Sequence, residues 1–453
     1  MKSKLLLLII LLPVIFFSCK KFLNKPSDNS LAVPSTLNDL QGLLDDGDEM
    51  NDHATPSFGE AYADNYFLPP ATYAALRNEL QETYTWMPHY YITPNDWSYG
   101  YLPVYNSNYC LDILPGIPVT AVNAPVWNNI KGSALFFRAY YFLQLIWVYG
   151  KAYDSTMSGT DLGIVLRLTS DFNIKSARST VSETYARVIT DAKESVSYLP
   201  DLPAHPYRPS KAAAYGLLAR TYLSMRQYDS AFKYVNLCLG LQSNVLDYND
   251  GSINAGGNVP FQPFNEEIIF FTSMNSINSS IATNIGKTDT SLYDSYDSND
   301  LRKQIFFRLS SGYQRFKGSY AASVSELFSG IAVDEMILTR AECYARTNDV
   351  TDAMADLNTL ISKRWANTTP YINFTATTPT EALNEVLLER RKELLFRGLR
   401  WMDIKRLNKE GVNIVLTRNI NGNLVRLSPN DNRYALPLPS DIISATGLPQ
   451  NPQ

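Results

Sequence analysis

The sequence is poor in the residues that most often bind transition metals, with three histidines and four cysteines among its 453 residues. His53, His89 and His205 are far apart, and no Cys-x-x-Cys pair occurs. A structural zinc site usually takes four closely grouped ligands of these two types. We therefore predict that the protein binds no metal and needs no cofactor.

An excess of positive charge is also missing, because 40 lysines and arginines face 44 acidic residues and the net charge is −4. Nucleic-acid-binding proteins usually carry a basic surface, so nucleic acid is not an expected partner. Hydrophobic residues make up 45% of the chain, which is ordinary for a globular protein with a sizeable core. The composition indicates an acidic globular protein, unusual mainly for its 29 tyrosines.

The N-terminus, MKSKLLLLIILLPVIFFSC, has the features of an export signal. Lys2 and Lys4 precede an apolar run, residues 5–17, that is too short to span a membrane comfortably. A small residue followed by Cys19 is typical of a bacterial lipoprotein cleavage site. We predict that residues 1–18 are removed and that Cys19 carries the lipid. The alternative is an ordinary secretory signal with an incidental cysteine.

Three cysteines remain in the mature chain, Cys110, Cys238 and Cys343. An odd number cannot all pair within one exported chain. Cys238 and Cys343 lie in apolar helical patterns, so we predict that they are buried thiols.

A second apolar run, Trp127–Gly150, is long enough to raise the question of a membrane span. Lys131, Arg138 and Gln144 interrupt it, and charged residues are costly at the centre of a bilayer. The pattern instead predicts a buried helix that ends at a glycine.

Two later segments share a spacing that is typical of tetratricopeptide-type helix pairs. Each has a small residue, an aromatic residue three positions on and another small residue twelve positions on. These residues are Ala219, Tyr222 and Ala231 in the first segment, and Ala341, Tyr344 and Ala353 in the second. A long insertion separates the segments, so a regular repeat array is not expected.

The remaining segments, chiefly 51–125, 242–330 and the tail after Lys409, are rich in turn-forming and polar residues. They predict loops with short helices and strands, such as the strand-like run EEIIFFTS. The chain is thus predicted to be mostly α-helical, with a helical scaffold carrying long loops. Loops on a rigid frame are a common place for ligand contacts.

Five stretches also carry a recognisable order of motifs. They are the start SCKKFLNKPSD, a helix pattern at Trp97, Tyr101, Val104, Asn108 and Leu111, the run ALFFRAYYFLQLIWVYG, the charged stretch Glu389–Leu407, and the close LPLPSDIISATGLPQNPQ. The segment YDSYDSNDLRKQIFF adds an Asp-x-Arg before an apolar run. Together they resemble the SusD/RagB family of Bacteroidetes outer-membrane lipoproteins.

The resemblance implies a SusD-like fold in which irregular tetratricopeptide-type helix pairs support a loop-rich ligand-binding half. Residues 19–240 and 241–453 would form two regions of one integrated fold. It also implies a lipid-anchored protein of the outer membrane, exposed at the cell surface. Such a protein captures a nutrient, a glycan or alternatively a peptide, for a SusC-like TonB-dependent transporter, without catalysis.

Glycan capture needs flat aromatic faces and a few polar groups for the sugar hydroxyls. The segment 62–97 supplies both types, and a second loop region adds two tyrosines. The predicted ligand-binding residues are Asp64, Asn65, Trp86, Tyr90, Tyr91, Tyr293 and Tyr296. The alternative is that these aromatic residues belong to the core or face the transporter.

An enzyme would need a catalytic pair, and Glu389 and Glu393 have a spacing that could suit a glycosidase. Nearby arginines lower carboxyl pKa values, whereas a general acid needs a raised pKa. The stretch is therefore predicted to be a structural helix. Its acids Glu389, Glu393 and Asp403 are expected to pair with Arg390, Arg397, Arg400 or Arg406.

Two further alternatives are weaker. Asp294, Asp297 and Asp300 recur at every third position, but they lack the glycine and closing glutamate of a calcium loop. A tetratricopeptide scaffold with only protein partners would not need the long aromatic loops. The sequence therefore favours a non-catalytic binding protein over both an enzyme and a scaffold.

Overall fold

The computed structural model describes residues 33–88, 90–275 and 284–453. The signal peptide and Cys19 lie outside these residues. As predicted, the described chain is mostly helical, with seventeen α-helices. They are α1 (Leu37–Leu44), α2 (Gly47–Met50), α3 (Phe58–Tyr62), α4 (Pro70–Ala74), α5 (Asn78–Tyr84), α6 (Asp96–Ile113), α7 (Ala124–Tyr149), α8 (Val181–Val196), α9 (Lys211–Ser224), α10 (Tyr228–Leu239), α11 (Thr290–Asp294), α12 (Arg302–Ile305), α13 (Val333–Arg346), α14 (Val350–Ser362), α15 (Pro379–Glu393), α16 (Arg400–Asn408) and α17 (Ser440–Thr446).

The strands are short and form antiparallel pairs: β1 with β5, β2 with β3, β4 with β8, β6 with β7 and β9 with β10. They are β1 (Tyr66–Phe67), β2 (Leu162–Val165), β3 (Arg178–Thr180), β4 (Ile268–Phe270), β5 (Lys287–Thr288), β6 (Phe307–Ser310), β7 (Tyr313–Phe316), β8 (Ile331–Ala332), β9 (Leu416–Ile420) and β10 (Asn423–Leu427). Most of them lie in the predicted loop-rich segments.

The two predicted helix pairs are present as α9–α10 and α13–α14. Ala219 and Ala231 are fully buried where α9 meets α10, and the equivalent alanines of α13 and α14 are buried as well. The rings of Tyr222 and Tyr234 lie parallel, with centroids 5.5 Å apart. Small residues allow the helices to approach, and the aromatic ring then fills the space one turn on. Helix α10 also packs on α13, which joins the two pairs.

Helix α7 forms the centre of the core, and all its residues from Ile130 to Tyr149 except Lys131 are buried. It packs between α6 and α8. Its buried Arg138 pairs with Asp191 at 2.8 Å. Among the described residues, no helix combines the length and the apolar character needed to cross a membrane. Cys238 and Cys343 are buried free thiols, as predicted.

The charged stretch Glu389–Leu407 is two helices, whereas the sequence predicted one. Helix α15 ends at Glu393 and α16 begins at Arg400. Between them, Phe396 and Gly398 have φ angles of 57° and 75°, in the left-handed region that glycine favours. The chain turns here so that α16 can pack against α3.

A buried ion-pair network holds α15 against the insertion. The Arg302 guanidinium donates to Asp300 at 2.7 Å, to Glu389 at 2.6 Å and to Glu393 at 3.0 Å. Arg364 donates to the other oxygen of Glu393 at 2.8 Å. The predicted partners of Glu389 and Glu393 were therefore wrong. Arg302 and Arg364, which are distant from α15 in the sequence, bind these carboxylates instead.

The predicted pairing of Asp403 is confirmed, since it accepts from Arg390 at 3.0 Å and from Arg406 at 2.8 Å. This contact ties α16 back onto α15 across the turn. Asp300 is likewise a structural residue, because it is buried against Arg302.

Three buried carboxylates, Glu267, Asp334 and Glu393, bring oxygen atoms within 4.8 Å of one another. Arginines already neutralise them: Arg364 bridges Glu267 and Glu393, and Arg397 lies 2.6 Å from Asp334. Burial alone would raise the pKa of Glu393, but Arg364 and Arg302 hold it below its usual range. Burial raises the pKa of Asp334 to about 7, although Arg397 opposes this shift. The arginine contacts made by all three carboxylates indicate a structural cluster.

A second buried acid, Glu60 on α3, fixes the turn between α15 and α16. Its carboxylate accepts from the backbone N–H of Gly398 at 2.9 Å and from the Asn65 side chain at 3.0 Å. Burial raises the pKa of Glu60 to about 7. The turn is thus joined to the N-terminal region by a carboxylate that titrates near neutral pH.

Removing Arg302 takes away a guanidinium partner shared by three buried carboxylates, Asp300, Glu389 and Glu393. We expect Arg302→Gln to lower the free energy of unfolding by about 3–5 kcal/mol. The control Lys363→Gln removes an exposed pair with Asp247, which is worth about 0–1 kcal/mol. Urea unfolding followed by circular dichroism measures both. Equal losses would mean that the buried network adds no more than a surface pair.

The raised pKa of Glu60 predicts a pH-dependent stability. Between pH 4.5 and about 7 the folded protein keeps a proton that the unfolded chain has released. The contribution of Glu60 to stability therefore falls as pH rises through this window, by up to about 3 kcal/mol. We expect Glu60→Gln to remove this part of the pH dependence. Thermal unfolding from pH 4 to 8 tests it, and parallel curves would contradict the assignment.

Candidate ligand-binding cleft

A cleft of about 510 Å³ opens in the loop-rich half of the protein. It lies between β1, the turn after β5, the start of β7, the β9–β10 hairpin and one side chain of α15. Its lining residues are Asp64, Tyr66, Phe67, Leu68, Tyr84, Asp289, Thr290, Ser291, Tyr313, Arg391, Val415, Thr417, Arg418, Asn419 and Leu424. The lining combines aromatic, aliphatic and charged side chains, the mixture expected of a ligand site.

One wall of the cleft is aromatic. The rings of Phe67 and Tyr313 meet edge to face, with centroids 5.2 Å apart and an interplanar angle of 80°. Tyr313 is 42% exposed, and Leu424 beside it on the lining is 57% exposed. The wall therefore presents apolar surface to a ligand, and the two rings support each other without one.

Asp64 supplies a fixed negative charge. Its two carboxylate oxygens accept from Arg400 at 2.7 and 2.9 Å, and Arg391 lies 3.3 Å away. Burial alone would raise the pKa of Asp64, but Arg400 and Arg391 hold it well below its usual range. Asp64 is therefore a permanent carboxylate that orients Arg391 at the edge of the cleft.

Arg418 on β9 supports the floor. Its guanidinium donates to the backbone carbonyls of Ala63 at 2.6 Å and Tyr66 at 2.9 Å. The rings of Tyr84 and Trp86 lie 4.5 and 5.0 Å from its central carbon. Cation–π contacts are strongest when the cation is shielded from water, as it is here. The segment that carries Phe67 is thus fastened to the C-terminal hairpin.

Of the predicted ligand-binding residues, Asp64 lines the cleft. Asn65, Trp86 and Tyr296 are each 1% exposed. The Trp86 ring donates to the Tyr62 carbonyl at 3.0 Å, and the Tyr296 hydroxyl donates to the Lys392 carbonyl at 2.8 Å. These three side chains act as supports in this structure, because no face of theirs is open to a ligand.

The remaining three lie away from the cleft lining. Tyr293 is half-buried, with its ring edge-on to Phe307 at 5.2 Å. Tyr91 donates to the carbonyl of Pro437 at 2.5 Å, next to α17. Tyr90 is 84% exposed. Ligand contact by these tyrosines stays a prediction.

The sequence analysis missed Phe67, Tyr313 and Arg391 as cleft residues. Phe67 lies within the aromatic segment from which candidates were chosen, and composition could not separate it from its neighbours. Tyr313 follows Gly312 at a hairpin turn, with a φ of 81° at the glycine, in the run LSSGYQRF. This turn signal could have placed Tyr313 at an exposed strand end.

A second, more apolar groove of about 340 Å³ runs along α6. Trp97, Tyr101 and Tyr105 line one side, and the strongly exposed Phe172 lines the other. Trp97 and Tyr101 have ring centroids 4.7 Å apart, and the Tyr101 hydroxyl donates to the Val165 carbonyl at 2.7 Å. The helix pattern that begins at Trp97 thus forms part of a packed surface, on which Trp97 keeps 6% exposure.

Solved structures of SusD-like proteins have a similar fold. The chain is 21% identical to a SusD superfamily protein from Bacteroides thetaiotaomicron, with a TM-score of 0.73 and coverage of 92% of this chain and 100% of that one. A SusD-like carbohydrate binding protein from Bacteroides vulgatus has 20% identity, a TM-score of 0.68 and coverage of 91% and 97%. A laminarin binding SusD-like protein has 16% identity, a TM-score of 0.64 and coverage of 91% and 97%.

Family models cover most of the sequence. Residues 21–223 match a SusD-like family described as starch-binding associating with outer membrane. Residues 283–452 match the SusD family. No curated protein matches the chain significantly. The two matches account for both the helical frame and the segments that line the cleft, and the chain belongs to the SusD family.

Proposed function

We propose that the protein binds an oligosaccharide in this cleft and passes it to a SusC-like TonB-dependent transporter. One matching family model is described as starch-binding, and one similar solved structure is a SusD-like carbohydrate binding protein. The observation that carries the proposal is the pairing of an exposed aromatic wall, Phe67 and Tyr313, with the fixed charges of Asp64 and Arg391.

This arrangement matches the two faces of a sugar ring. The apolar C–H face of a pyranose packs on aromatic carbon, and its hydroxyls need oriented donors and acceptors. Asp64 offers acceptors and Arg391 offers donors, while Thr290, Ser291 and Asn419 add shorter polar groups on the lining. A buried floor keeps these groups in place, which reduces the entropy lost on binding.

The cleft does not favour hydrolysis. Asp64 is held ionised by two arginines, so it cannot serve as the general acid of a glycosidase. Incubation with an oligosaccharide library tests this point, and reproducible release of shorter products would overturn the binding-only proposal.

Cys19 is proposed as the lipid attachment site, with the mature protein held at the outer face of the outer membrane. The description of the matching family, starch-binding associating with outer membrane, supports this location. We expect Cys19→Ala to abolish incorporation of labelled palmitate and to move the protein from the membrane to the soluble fraction. Labelling that persists in the variant would contradict the assignment.

The aromatic wall gives the sharpest test of the cleft. We expect Tyr313→Ala to weaken oligosaccharide binding about tenfold, which is about 1.4 kcal/mol, because one exposed ring of the wall is lost. Tyr90→Ala removes a more exposed tyrosine that lies outside the cleft lining and serves as the matched control. Glycan-array screening that includes laminarin and starch oligosaccharides identifies a ligand. Calorimetry then measures the affinity of both variants for it.

The opposite result is equally informative. Loss of binding in Tyr90→Ala with full binding in Tyr313→Ala would place the ligand at the other predicted tyrosines. Binding of peptides in place of every glycan would favour the peptide alternative. Thermal unfolding of each variant shows whether a lost affinity reflects a lost fold.

A further inference from the structure

Two side chains of opposite charge line the cleft without forming an ion pair with each other. Asp289 directly follows β5, Arg391 lies on α15, and both are partly buried. Among the described residues, the ion pair of Arg391 is with Asp64, and no basic nitrogen lies within 4.0 Å of the Asp289 carboxylate. The cleft therefore contains a carboxylate and a guanidinium with a gap between them.

One short segment holds the two side chains near each other. The Arg391 guanidinium donates through Nη2 to the Asp64 carbonyl at 2.9 Å. The backbone N–H of Asp289 donates to the next carbonyl along the chain, that of Asn65, at 2.9 Å. Because these carbonyls belong to consecutive residues, Asp289 and Arg391 flank the same stretch of the cleft wall.

Asp289 keeps one carboxylate oxygen open. Its Oδ1 accepts from the Leu292 N–H at 2.9 Å and also from the Ser291 hydroxyl. These two hydrogen bonds fix the side chain at the start of α11. Its Oδ2 accepts from no residue that the structure describes. A carboxylate can accept about four hydrogen bonds, so Asp289 has unused acceptor capacity at the cleft.

Arg391 keeps an open donor group. Its Nε donates to the Asn65 side chain at 3.4 Å, and its Nη2 is taken by Asp64. Its Nη1 carries two N–H bonds and donates to nothing in the described part of the chain. Burial lowers the pKa of Arg391, while the charges of Asp64 and Asp289 oppose this shift. Since an arginine stays protonated in proteins, these N–H groups are available to a ligand.

We infer that Asp289 and Arg391 bind neighbouring hydroxyls of an uncharged sugar, with Asp289 accepting through Oδ2 and Arg391 donating through Nη1. The inference rests on the proposed glycan-binding function and names the kind of sugar that the cleft takes. A hydroxyl both donates and accepts, so it can satisfy either partner. A carboxylate only accepts and an ammonium only donates, so each would meet a like charge at one of the two.

The charges of the whole lining agree with an uncharged ligand. Asp64 and Asp289 are its acidic residues, Arg391 and Arg418 are its basic residues, and their formal charges cancel. Taking a charged group out of water is costly unless an opposite charge receives it. An acidic or basic sugar would lose its hydration in a cleft that offers no net opposite charge.

The open pair lies next to the aromatic wall. Phe67 is two residues beyond Asn65, which places it about 7 Å farther along the extended chain. A sugar packed on Phe67 can therefore present the hydroxyls of one ring edge to Asp289 and Arg391. In a trans peptide the N–H and C=O groups point in opposite directions, so one peptide unit cannot serve both partners from the same side. This geometry favours a sugar over a peptide.

The test compares variants of the full chain. Asparagine caps a helix about as well as aspartate, so Asp289→Asn keeps the contacts of Oδ1 but loses the charge and one acceptor. The matched control is Asp349→Asn, because Asp349 caps α14 by accepting from the Asp352 N–H at 3.1 Å and lies outside the cleft lining. Both variants change the net charge equally. A third variant, Arg391→Gln, removes the positive partner.

Calorimetry measures the affinity of each form for three probes: laminarin oligosaccharides, malto-oligosaccharides and oligogalacturonates. We expect the unmodified protein to bind one of the two neutral probes most tightly. Asp289→Asn should weaken that binding about tenfold, because a hydrogen bond to a charged group is lost. Asp349→Asn should leave it unchanged.

Charge selectivity is a second readout, which a purely structural role would not move. The affinity for oligogalacturonates relative to the neutral probe should rise in Asp289→Asn, because Arg391 then has no opposite charge across the gap. It should fall in Arg391→Gln, where the negative partner is left. Asp349→Asn should keep the selectivity of the unmodified protein.

The contrary outcomes separate the two proposals. Tighter binding of oligogalacturonates than of both neutral probes, or equal affinity of Asp289→Asn and the unmodified protein for the neutral probe, would overturn this inference and leave the proposed function standing. So would a larger fall of the melting temperature in Asp289→Asn than in Asp349→Asn, since the carboxylate would then serve the fold. Binding of none of the three probes would overturn both.

Discussion

The loop-rich half depends on one constraint: a buried guanidinium must be paired with carboxylates or carbonyl oxygens, because it cannot lose its proton. Arg302 and Arg364 meet this need by drawing on Glu389 and Glu393 from α15. Arg364 also donates to the Leu246 carbonyl and to the Glu267 carboxylate, both in the first third of the inserted segment. The insertion is thereby fixed to the helical frame at its base.

Helix α15 connects this buried ion-pair network to the cleft. One side of it holds the buried acids, and on another side Arg391 reaches Asp64 at the cleft edge. The turn after it is held by Glu60. Glu60 also accepts from Asn65, which is the residue next to Asp64 in the chain. This charged stretch therefore forms buried ion pairs on one side and places the cleft-lining Arg391 on another.

The sequence predicted features that depend on local spacing. The predicted spacing of alanines and tyrosines corresponds to real contacts within the helix pairs, because packing between adjacent helices repeats with the helical turn. The break at Gly398 was not predictable, since it exists to meet Glu60 from a distant segment. Of the predicted ligand-binding residues, Asp64 lines the cleft, whereas Trp86 and Tyr296 are buried. Composition shows that a ring is present, whereas only the fold shows which rings face the core.

Arg418 joins two segments that are far apart in the sequence. It comes from the last part of the sequence, yet its guanidinium fixes the carbonyls of Ala63 and Tyr66. A chain synthesised from its N-terminus lacks these contacts until the β9–β10 hairpin has been made. Contacts of such long sequence separation form late and slowly. A chain without the β9–β10 hairpin would therefore lack the support of Arg418 and one wall of the cleft.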